Sequence, residues 1–175
     1  PGVASFGGVF PVYVRQNLLV SQRLFEAAAA AGVRTVFASS SSIYGDAETY
    51  PTSEETRPRP ISPYGITKLG AEHLGGAYAK EFGLDHVVVR YFTIYGPRQR
   101  PDMALAKIVA CLVEGRPFEL HGDGTQSRSF TFVEDAVEAT VLSMEQGSAG
   151  DVFNVGGGEE ASMLDAIDIL ESASG

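Results

Sequence analysis

The stretch SPYGITK, residues 62–68, predicts the start of a helix that carries a tyrosine and a lysine on one face. Ser62 is a typical N-cap, and Pro63 suits the first helical position, where a missing N–H costs nothing. Residues four apart share a helix face, so Tyr64 and Lys68 are expected to be neighbours. An ammonium group favours the phenolate and typically lowers its pKa by about 1–3 from roughly 10. Tyr64 is therefore a candidate base near neutral pH, and a solvated helix surface is the alternative for the same pair.

Helices and strands alternate along the first half of the chain, which favours a layered α/β fold. Apolar spacing predicts helices over residues 14–31 and 64–82, and strands over residues 35–39 and 86–90. Both strands are rich in apolar residues and are expected to be buried on both faces. Short connections between alternating elements predict parallel strands, in a doubly wound sheet that binds ligands beyond the carboxyl ends of its strands.

The pattern changes after Phe92, and we predict a domain boundary there. Asp102 is expected to cap a helix that Gly115 ends. Three short strands are predicted over residues 117–120, 129–133 and 152–155. Helices are predicted over residues 134–146 and after Ser162.

Composition excludes several classes of function. The net charge of −9 and a pI near 4.7 argue against a nucleic-acid surface and against binding to an anionic membrane. No apolar run approaches the length of a membrane span. The single cysteine, Cys111, lies in an apolar helical pattern and permits no disulfide within the chain, which fits a reducing compartment and predicts a cytoplasmic protein. No residue cluster has metal-ligand spacing, so no metal is expected.

Hydroxyl groups and an aromatic ring follow two of the predicted strands. Ser40 ends one strand, and Phe92 and Thr93 follow the next. In a doubly wound sheet these strand ends lie near the Tyr64 helix. Ser40 can then donate a hydrogen bond to the same substrate oxygen that Tyr64 deprotonates, although a serine in this position is also common in plain loops.

Four motifs together resemble the extended short-chain dehydrogenases/reductases that act on nucleotide sugars. They are ASSSSIYG at 38–45, SPYGITK at 62–68, RYFTIYGPRQRPDM at 90–103 and GDGTQSR at 122–128. The resemblance implies bound NAD and a Rossmann-type fold. Residues 1–92 would be the C-terminal portion of the dinucleotide-binding domain, and 93–175 mainly a smaller α/β substrate-binding domain, with segments that can return to the sheet.

The resemblance also implies roles for individual residues. The catalytic set would be Ser40, Tyr64 and Lys68, and Lys68 would also hold the nicotinamide ribose. The cofactor would contact Tyr64, Lys68 and three further residues, Asn17, Ser39 and Phe92. By residue type alone, Asn17 is equally well explained as a helix-face or capping residue.

The residues after Ser40 bear on the reaction within this family. Dehydratases and decarboxylases of the family carry carboxylates there, because elimination needs an acid and a base near the sugar, whereas this chain has Ser41 and Ser42. The resemblance therefore implies 4-epimerisation through a transient 4-keto sugar. A 4,6-dehydratase or reductase of the same fold, an inactive NAD-binding homologue and an unrelated α/β binding module stay as alternatives.

The segments TIYGP at 93–97 and RPDM at 100–103 resemble UDP-glucuronate 4-epimerases, which implies UDP-glucuronate as the substrate, with UDP-glucose as the alternative. By resemblance, Ser41, Ser42, Thr93 and Arg100 face the sugar carboxylate, and an arginine fork suits a carboxylate well. By the same resemblance, His121 lines the uracil and Arg128 contacts the nucleotide. Solvated loop charges are the alternative for the arginines.

The sequence departs from the family in three places. Ser129 stands where the family usually has Asp, and Ala4 where close relatives often have Arg. The glycine-rich turn Gly-x-x-Gly-x-x-Gly, which binds the dinucleotide pyrophosphate, does not occur in the sequence. We therefore expect the N-terminal part of the Rossmann domain to be missing, and NAD to bind poorly to this chain alone. By resemblance the protein is a homodimer, joined through the helices of Asn17 and Tyr64.

Overall fold

The computed structural model describes residues 8–47, 49–120, 122–157 and 160–174, and the chain divides into two compact units. The first unit runs to Phe92 and also includes Val137–Val155. The second unit comprises Thr93–Ala136 and the residues from Gly156 onwards. The chain therefore passes between the units three times, after Phe92, after Ala136 and after Val155, and returns to the first unit for most of one helix and for one strand.

Strands and helices alternate over most of the described chain. The strands are β1 Thr35–Ser40, β2 His86–Tyr91, β3 Thr93–Tyr95, β4 Ser127–Phe132, β5 Val152–Val155 and β6 Glu160–Ser162. The helices are α1 Phe10–Tyr13, α2 Val20–Ala31, α3 Pro63–Phe82, α4 Ala104–Glu114, α5 Val133–Gln146 and α6 Met163–Ser174, with a π-helical segment Val14–Leu19 between α1 and α2 and a 3₁₀ turn Ser41–Ile43 after β1.

A three-stranded parallel sheet with the order β1-β2-β5 forms the centre of the first unit. Successive residues of a strand point to opposite faces. From β2, Arg90 bonds Glu72 of α3, while Tyr91 contacts Thr140 of α5 through hydroxyl groups 2.5 Å apart. Helices therefore cover both faces of the sheet, which confirms the doubly wound, Rossmann-type α/β prediction.

Burial differs between the two strands that were expected to be buried on both faces. In β2, residues 86–90 are all buried, and Val87 and Val89 are fully so. In β1 only Ser39 is buried and Ala38 is exposed. The prediction was wrong for β1 because, among the described residues, this strand pairs on one side only, with β2.

Helix α3 begins and ends where its sequence predicts. The Ser62 hydroxyl accepts a hydrogen bond from the backbone N–H of Gly65 at 3.1 Å, and Pro63 occupies the first turn. Gly83 ends the helix in the left-handed conformation with φ 69°, which glycine adopts without steric penalty. The predicted N-cap and stop signal are both confirmed.

The first long helix differs from its prediction at the start. It begins at Phe10, four residues before Val14, because Pro11 serves as a first-turn residue rather than as part of a loop. Its end at Gly32 is confirmed. The π-helical turn within it was not predicted.

The second unit contains a small sheet with the order β3-β4-β6. β3 and β4 are parallel, and β4 and β6 are antiparallel. The strand predicted over residues 117–120 is wrong: these residues are irregular, and Pro117 has no N–H for a ladder. Met103 rather than Asp102 occupies the N-cap position of helix α4 and makes no side-chain cap, and the Asp102 carboxylate binds the Arg100 guanidinium instead.

Within the described residues, no helix combines the length and apolar character that crossing a membrane requires.

Candidate active site

Tyr64 and Lys68 lie one turn apart at the start of α3, at the carboxyl end of β1. The Lys68 Nζ atom is 5.8 Å from the centroid of the Tyr64 ring and 5.1 Å from that of Phe37. It donates a hydrogen bond of 2.8 Å to the Ala38 carbonyl oxygen of β1. The helix thus brings the lysine and the phenol together at a strand end, as the sequence predicts.

The environment of Lys68 favours its neutral form. Burial lowers the pKa of the Lys68 ammonium group, and the negative charge of Glu72, one turn further along α3, partly offsets this effect. Lys68 therefore holds its positive charge less firmly than a solvated lysine does. A partly desolvated cation interacts more strongly with a phenolate than one in water does.

Ser40 lies at the end of β1, where the chain turns toward the start of α3. Its hydroxyl oxygen accepts a hydrogen bond from the backbone N–H of Ser42 and donates one to the Ser42 hydroxyl, both at 3.2 Å. The resulting 3₁₀ turn packs on the first turn of α3, because Gly65 has no side chain to separate it from the Ser42 carbonyl. Ser40, Ser41 and Ser42 are therefore carried on a turn that contacts the residue after Tyr64.

Three residues expected beside a cofactor are placed in the first unit. The Asn17 amide in the π-helical segment donates to the Thr67 hydroxyl of α3 at 3.0 Å. Ser39 is buried, and its hydroxyl donates to the Glu72 carboxylate. Phe92 follows β2, and its ring lies 6.4 Å from that of Tyr44. Asn17 and Ser39 both have side-chain partners within the protein.

A buried polar network beneath these residues was missed by the sequence reasoning. Glu72 and Arg90 form an ion pair with an N–O distance of 2.8 Å, and each side chain is only 8% exposed. Burial alone would lower the pKa of Arg90, but the hydrogen bond and charge of Glu72, with a smaller effect of Tyr44, raise it. Two signals mark the pair: an arginine that interrupts an apolar strand, and a glutamate one turn after Lys68.

The second unit carries three residues expected to contact a sugar nucleotide. Thr93 opens β3 and pairs with Phe130 of β4. Arg100 is exposed and forms two hydrogen bonds with Asp102, at 3.0 and 3.1 Å. Arg128 is exposed and donates to the Ser127 carbonyl oxygen at 2.7 Å. His121 lies outside the described residues.

Ser129, which departs from the family pattern, has a defined partner within the same unit. Its hydroxyl donates to the Gly157 carbonyl oxygen at 2.8 Å. It therefore ties β4 to the segment after β5.

The described residues contain no group of three or more His, Cys, Asp or Glu side chains arranged to hold a metal ion. Tyr64, Lys68 and Ser40 present a phenol, an amine and a hydroxyl in the first unit, groups that suit proton transfer and hydrogen bonding to an alcohol.

Known proteins resemble the chain over most of its length. It is 42% identical over 178 residues to a protein named uncharacterized UDP-glucose epimerase YtcB, from Bacillus subtilis (strain 168), a match that covers 100% of this chain and 56% of that protein. It is 40% identical over 167 residues to UDP-glucuronate 4-epimerase from Thermodesulfobacterium geofontis (strain OPF15), covering 94% of this chain and 51% of the relative. The chain thus spans about half the length of the curated relatives it matches.

A solved structure matches the fold closely. UDP-glucuronic acid 4-epimerase from Bacillus cereus, crystallised with UDP-glucuronic acid and NAD, superposes with a TM-score of 0.94 and 44% identity over 99% of this chain and 56% of its own. A profile of the NAD dependent epimerase/dehydratase family also matches residues 11–156. With its parallel sheet, its Tyr64–Lys68 helix and these matches, the chain belongs to the NAD dependent epimerase/dehydratase family.

Proposed function

We propose that the protein is an NAD-dependent nucleotide-sugar 4-epimerase, an isomerase that acts on UDP-glucuronate. The observation that supports this most is the placement of Lys68 beside the Tyr64 ring at a strand end of a Rossmann-type sheet. The epimerases that match the chain over nearly its whole length support the same activity.

The chain's own residues move one proton and orient one hydroxyl. Tyr64 removes the proton from the sugar 4-hydroxyl, and Ser40 donates a hydrogen bond to that oxygen. Lys68 stabilises the charge of the phenolate. When bound, NAD supplies hydride transfer at C4, so that the sugar passes through a 4-ketone. After the ketone turns in the pocket, Tyr64 returns the proton to the opposite epimer, and the net change is an inversion at C4.

The residues at the strand ends fit the nicotinamide end of the cofactor. Lys68 has three N–H donors and Ala38 accepts one of them, so the ammonium group can also bind a ribose hydroxyl. Phe92 offers an aromatic surface after β2, and Asn17 lies on the helix that faces α3. Ser39 contributes its backbone, because its hydroxyl is bound to Glu72.

The second unit is assigned the role of the substrate-binding domain, and the first that of the dinucleotide-binding domain. Thr93 and Arg100, with Ser41 and Ser42, recognise the sugar carboxylate, while Arg128 and His121 bind the nucleotide. Arg100 already pairs with a carboxylate, Asp102, in an exposed position, and a substrate carboxylate can compete for the same guanidinium fork.

UDP-glucose 4-epimerase is the second candidate, because the Bacillus subtilis relative is named a UDP-glucose epimerase. The serines that follow Ser40 disfavour a dehydratase, since neither can act as the acid or base that elimination of water requires.

The decisive experiment is to express the protein from its complete gene and to follow UDP-glucuronate and UDP-glucose by NMR in the presence of NAD. Conversion of UDP-glucuronate to UDP-galacturonate supports the proposal, and conversion of UDP-glucose alone supports the second candidate. A 4-keto-6-deoxy product would identify a dehydratase. Conversion of neither sugar would refute the proposed activity.

A cytoplasmic homodimer is the proposed state of the protein. The first long helix exposes Val12, Leu19 and Leu24 at 53%, 48% and 61%, and α3 exposes Ile66 at 47%, an apolar surface suited to burial against a second copy. The free, buried Cys111 fits a reducing compartment.

Light scattering tests the dimer with two matched variants. Leu24→Glu places a charge on the proposed interface and is expected to halve the measured mass. Val113→Glu, at a position of α4 that is 82% exposed, serves as the control and should leave the mass unchanged. A monomeric wild-type protein would contradict the proposal.

A further inference from the structure

The ion pair between Glu72 and Arg90 has a geometry that leaves neither side chain free to turn. Arg90 Nε donates to Glu72 Oε1 at 3.2 Å, and Arg90 Nη2 donates to Oε2 at 2.8 Å. This two-pronged contact uses both carboxylate oxygens and two edges of the guanidinium group. Each side chain is only 8% exposed, so water competes little for either partner.

Neighbouring groups hold both partners of the pair from the other side. The Ser39 hydroxyl donates a third hydrogen bond to Glu72 Oε1. Arg90 Nη1 donates to the Tyr44 hydroxyl oxygen at 2.8 Å and to the Glu54 carbonyl oxygen at 3.2 Å. The Tyr44 hydroxyl in turn donates to the Asn154 side-chain oxygen at 2.8 Å. The Glu72 carboxylate of α3 is therefore fixed by Ser39 of β1 and Arg90 of β2.

Glu72 is also the acidic neighbour of Lys68. The two residues lie four apart in α3, where an acidic and a basic side chain ordinarily pair with each other. Lys68 instead donates to the Ala38 carbonyl oxygen, next to Ser39 in β1. In the part of the chain that the structure describes, the titratable groups around Lys68 are Glu72 and Tyr64 of its own helix, and Tyr13 faces the Tyr64 ring from α1 at 5.9 Å. From β1 it faces the uncharged Phe37 ring.

We propose that Glu72 and Arg90 are positioning residues for Lys68. Arg90 holds the Glu72 carboxylate in the core, so that Lys68 is not drawn into an i, i+4 pair and stays beside Tyr64. The inference rests on the proposed roles of Tyr64 and Lys68 in the epimerase, but its electrostatic part concerns the protein alone.

The proposal predicts opposite effects from the two partners. Arg90→Met leaves the Glu72 charge without its counter-ion, which strengthens its attraction for the Lys68 ammonium group and raises the pKa of Lys68. Glu72→Gln removes that attraction and leaves the Arg90 charge nearby, which lowers the pKa of Lys68. Each change is expected to move the titration midpoint by about 1 pH unit. In the double variant both charges are gone, and the midpoint is expected to lie between those of the two single variants.

A merely structural role makes a different prediction. If the pair only kept α3 packed on the sheet, either single variant would loosen the site and admit water. Water would raise the pKa of Lys68 toward that of a solvated lysine in both variants alike. The direction of the change in Glu72→Gln therefore distinguishes the two roles.

The experiment follows the Cε resonances of [ε-¹³C]lysine in the chain as pH is raised. The protein is expressed from its complete gene, and Lys68→Arg, Lys80→Arg and Lys107→Arg assign the signals of the three lysines of this chain. In the wild-type chain the Lys68 signal should titrate at the lowest pH of the three. A Lys68 midpoint at or above the other two would overturn the proposal before any variant is made.

Charge-preserving variants cover the case in which a neutral variant does not fold. Arg90→Lys and Glu72→Asp keep both charges, and both should leave the Lys68 midpoint near the wild-type value. A rise in every variant, or no movement in any, would overturn the proposal. The measurement uses neither NAD nor a sugar, so its failure leaves the proposed epimerase activity intact, and absence of that activity would not alter the titration.

Discussion

Gly65 and Ser42 touch through a contact that leaves no room for a side chain. A Cβ atom built on Gly65 would lie 2.4 Å from the Ser42 carbonyl oxygen and 3.1 Å from the Pro60 Cβ atom. Because Gly65 follows Tyr64 in α3, this close approach sets the distance between the tyrosine and the turn that carries Ser40.

We expect Gly65→Ala to separate that turn from α3. The added methyl group must push the Ser42 backbone away, at a cost of about 1–3 kcal/mol in the free energy of unfolding. Displacing Ser40 from Tyr64 should also reduce the epimerase rate by more than the loss of folded protein explains. Urea denaturation and the rate per folded molecule measure the two effects.

Gly76→Ala is the matched control in the same helix. A Cβ at Gly76 meets nothing within 4 Å, so alanine should stabilise α3 by about 0.5–1 kcal/mol through its higher helix propensity. Equal effects of the two substitutions would show that the Gly65 contact does not matter.

Tyr64→Phe should abolish epimerisation while the protein stays folded. The substitution removes only the hydroxyl that takes up the proton, and loss of a general base typically costs about 10²–10⁴ in rate. Tyr50→Phe, at a residue that is 76% exposed, is the control and should retain full activity. An active Tyr64→Phe enzyme, measured as the initial rate of C4 inversion by NMR, would exclude Tyr64 as the base.

The N-cap of α3 should contribute measurably to stability. Ser62→Ala removes the acceptor for the Gly65 N–H and should lower the free energy of unfolding by about 1 kcal/mol, whereas Ser62→Asp keeps an acceptor and should lower it less. Guanidinium denaturation compares the two variants. If Ser62→Ala matched the wild type, the hydrogen bond would contribute nothing net.

His86 should make the protein less stable at mildly acidic pH. Its ring is 3% exposed, Nδ1 lies 2.9 Å from the Thr35 hydroxyl, and Nε2 has no partner among the described residues. Burial lowers the pKa of His86 below 6.5, and the charge of Glu72 only partly offsets this. Below pH 6.5 the unfolded chain therefore binds a proton that the folded protein excludes.

Neutral His86 thus makes its full contribution to the free energy of unfolding above pH 6.5. This contribution is lost as pH falls toward the pKa of His86 in the folded state. The slope in that window is at most about 1.4 kcal/mol per pH unit for one proton. Thermal melts between pH 5 and 8 should show this slope in the wild type and a weaker one in His86→Asn. His73→Gln, at an exposed position, should keep the wild-type slope. A wild-type slope in His86→Asn would contradict the assignment.

Local sequence signals predicted the parts of the fold that short stretches decide. Ser62, Gly83 and Gly115 mark helix ends through hydrogen bonding and backbone conformation that depend on a few neighbouring residues. The Tyr64–Lys68 spacing predicted a shared helix face in the same way. These features follow from chain geometry alone and need no knowledge of distant partners.

Features that depend on distant partners, or on a choice between competing neighbours, were not predicted from the sequence. Asp102 was expected to cap α4, but its carboxylate binds Arg100. Both partners are close in the sequence, and residue spacing alone does not show which one the carboxylate prefers. Strands β3 and β6 have three residues each and exist because β4 lies between them. The Glu72–Arg90 pair joins a helix and a strand that are 18 positions apart, so no local pattern contains it.

The π-helical turn at Val14–Leu19 sets the rotational phase of the helix that precedes it. Such a turn accommodates one residue more than an α-helical turn, and each residue of an α-helix rotates the chain by about 100°. Deleting a single codon there would let the helix wind regularly and would rotate Tyr13 away from the ring of Tyr64. The number of residues in this segment thus sets an angle, and the extra residue keeps the Tyr13 ring against the ring of Tyr64.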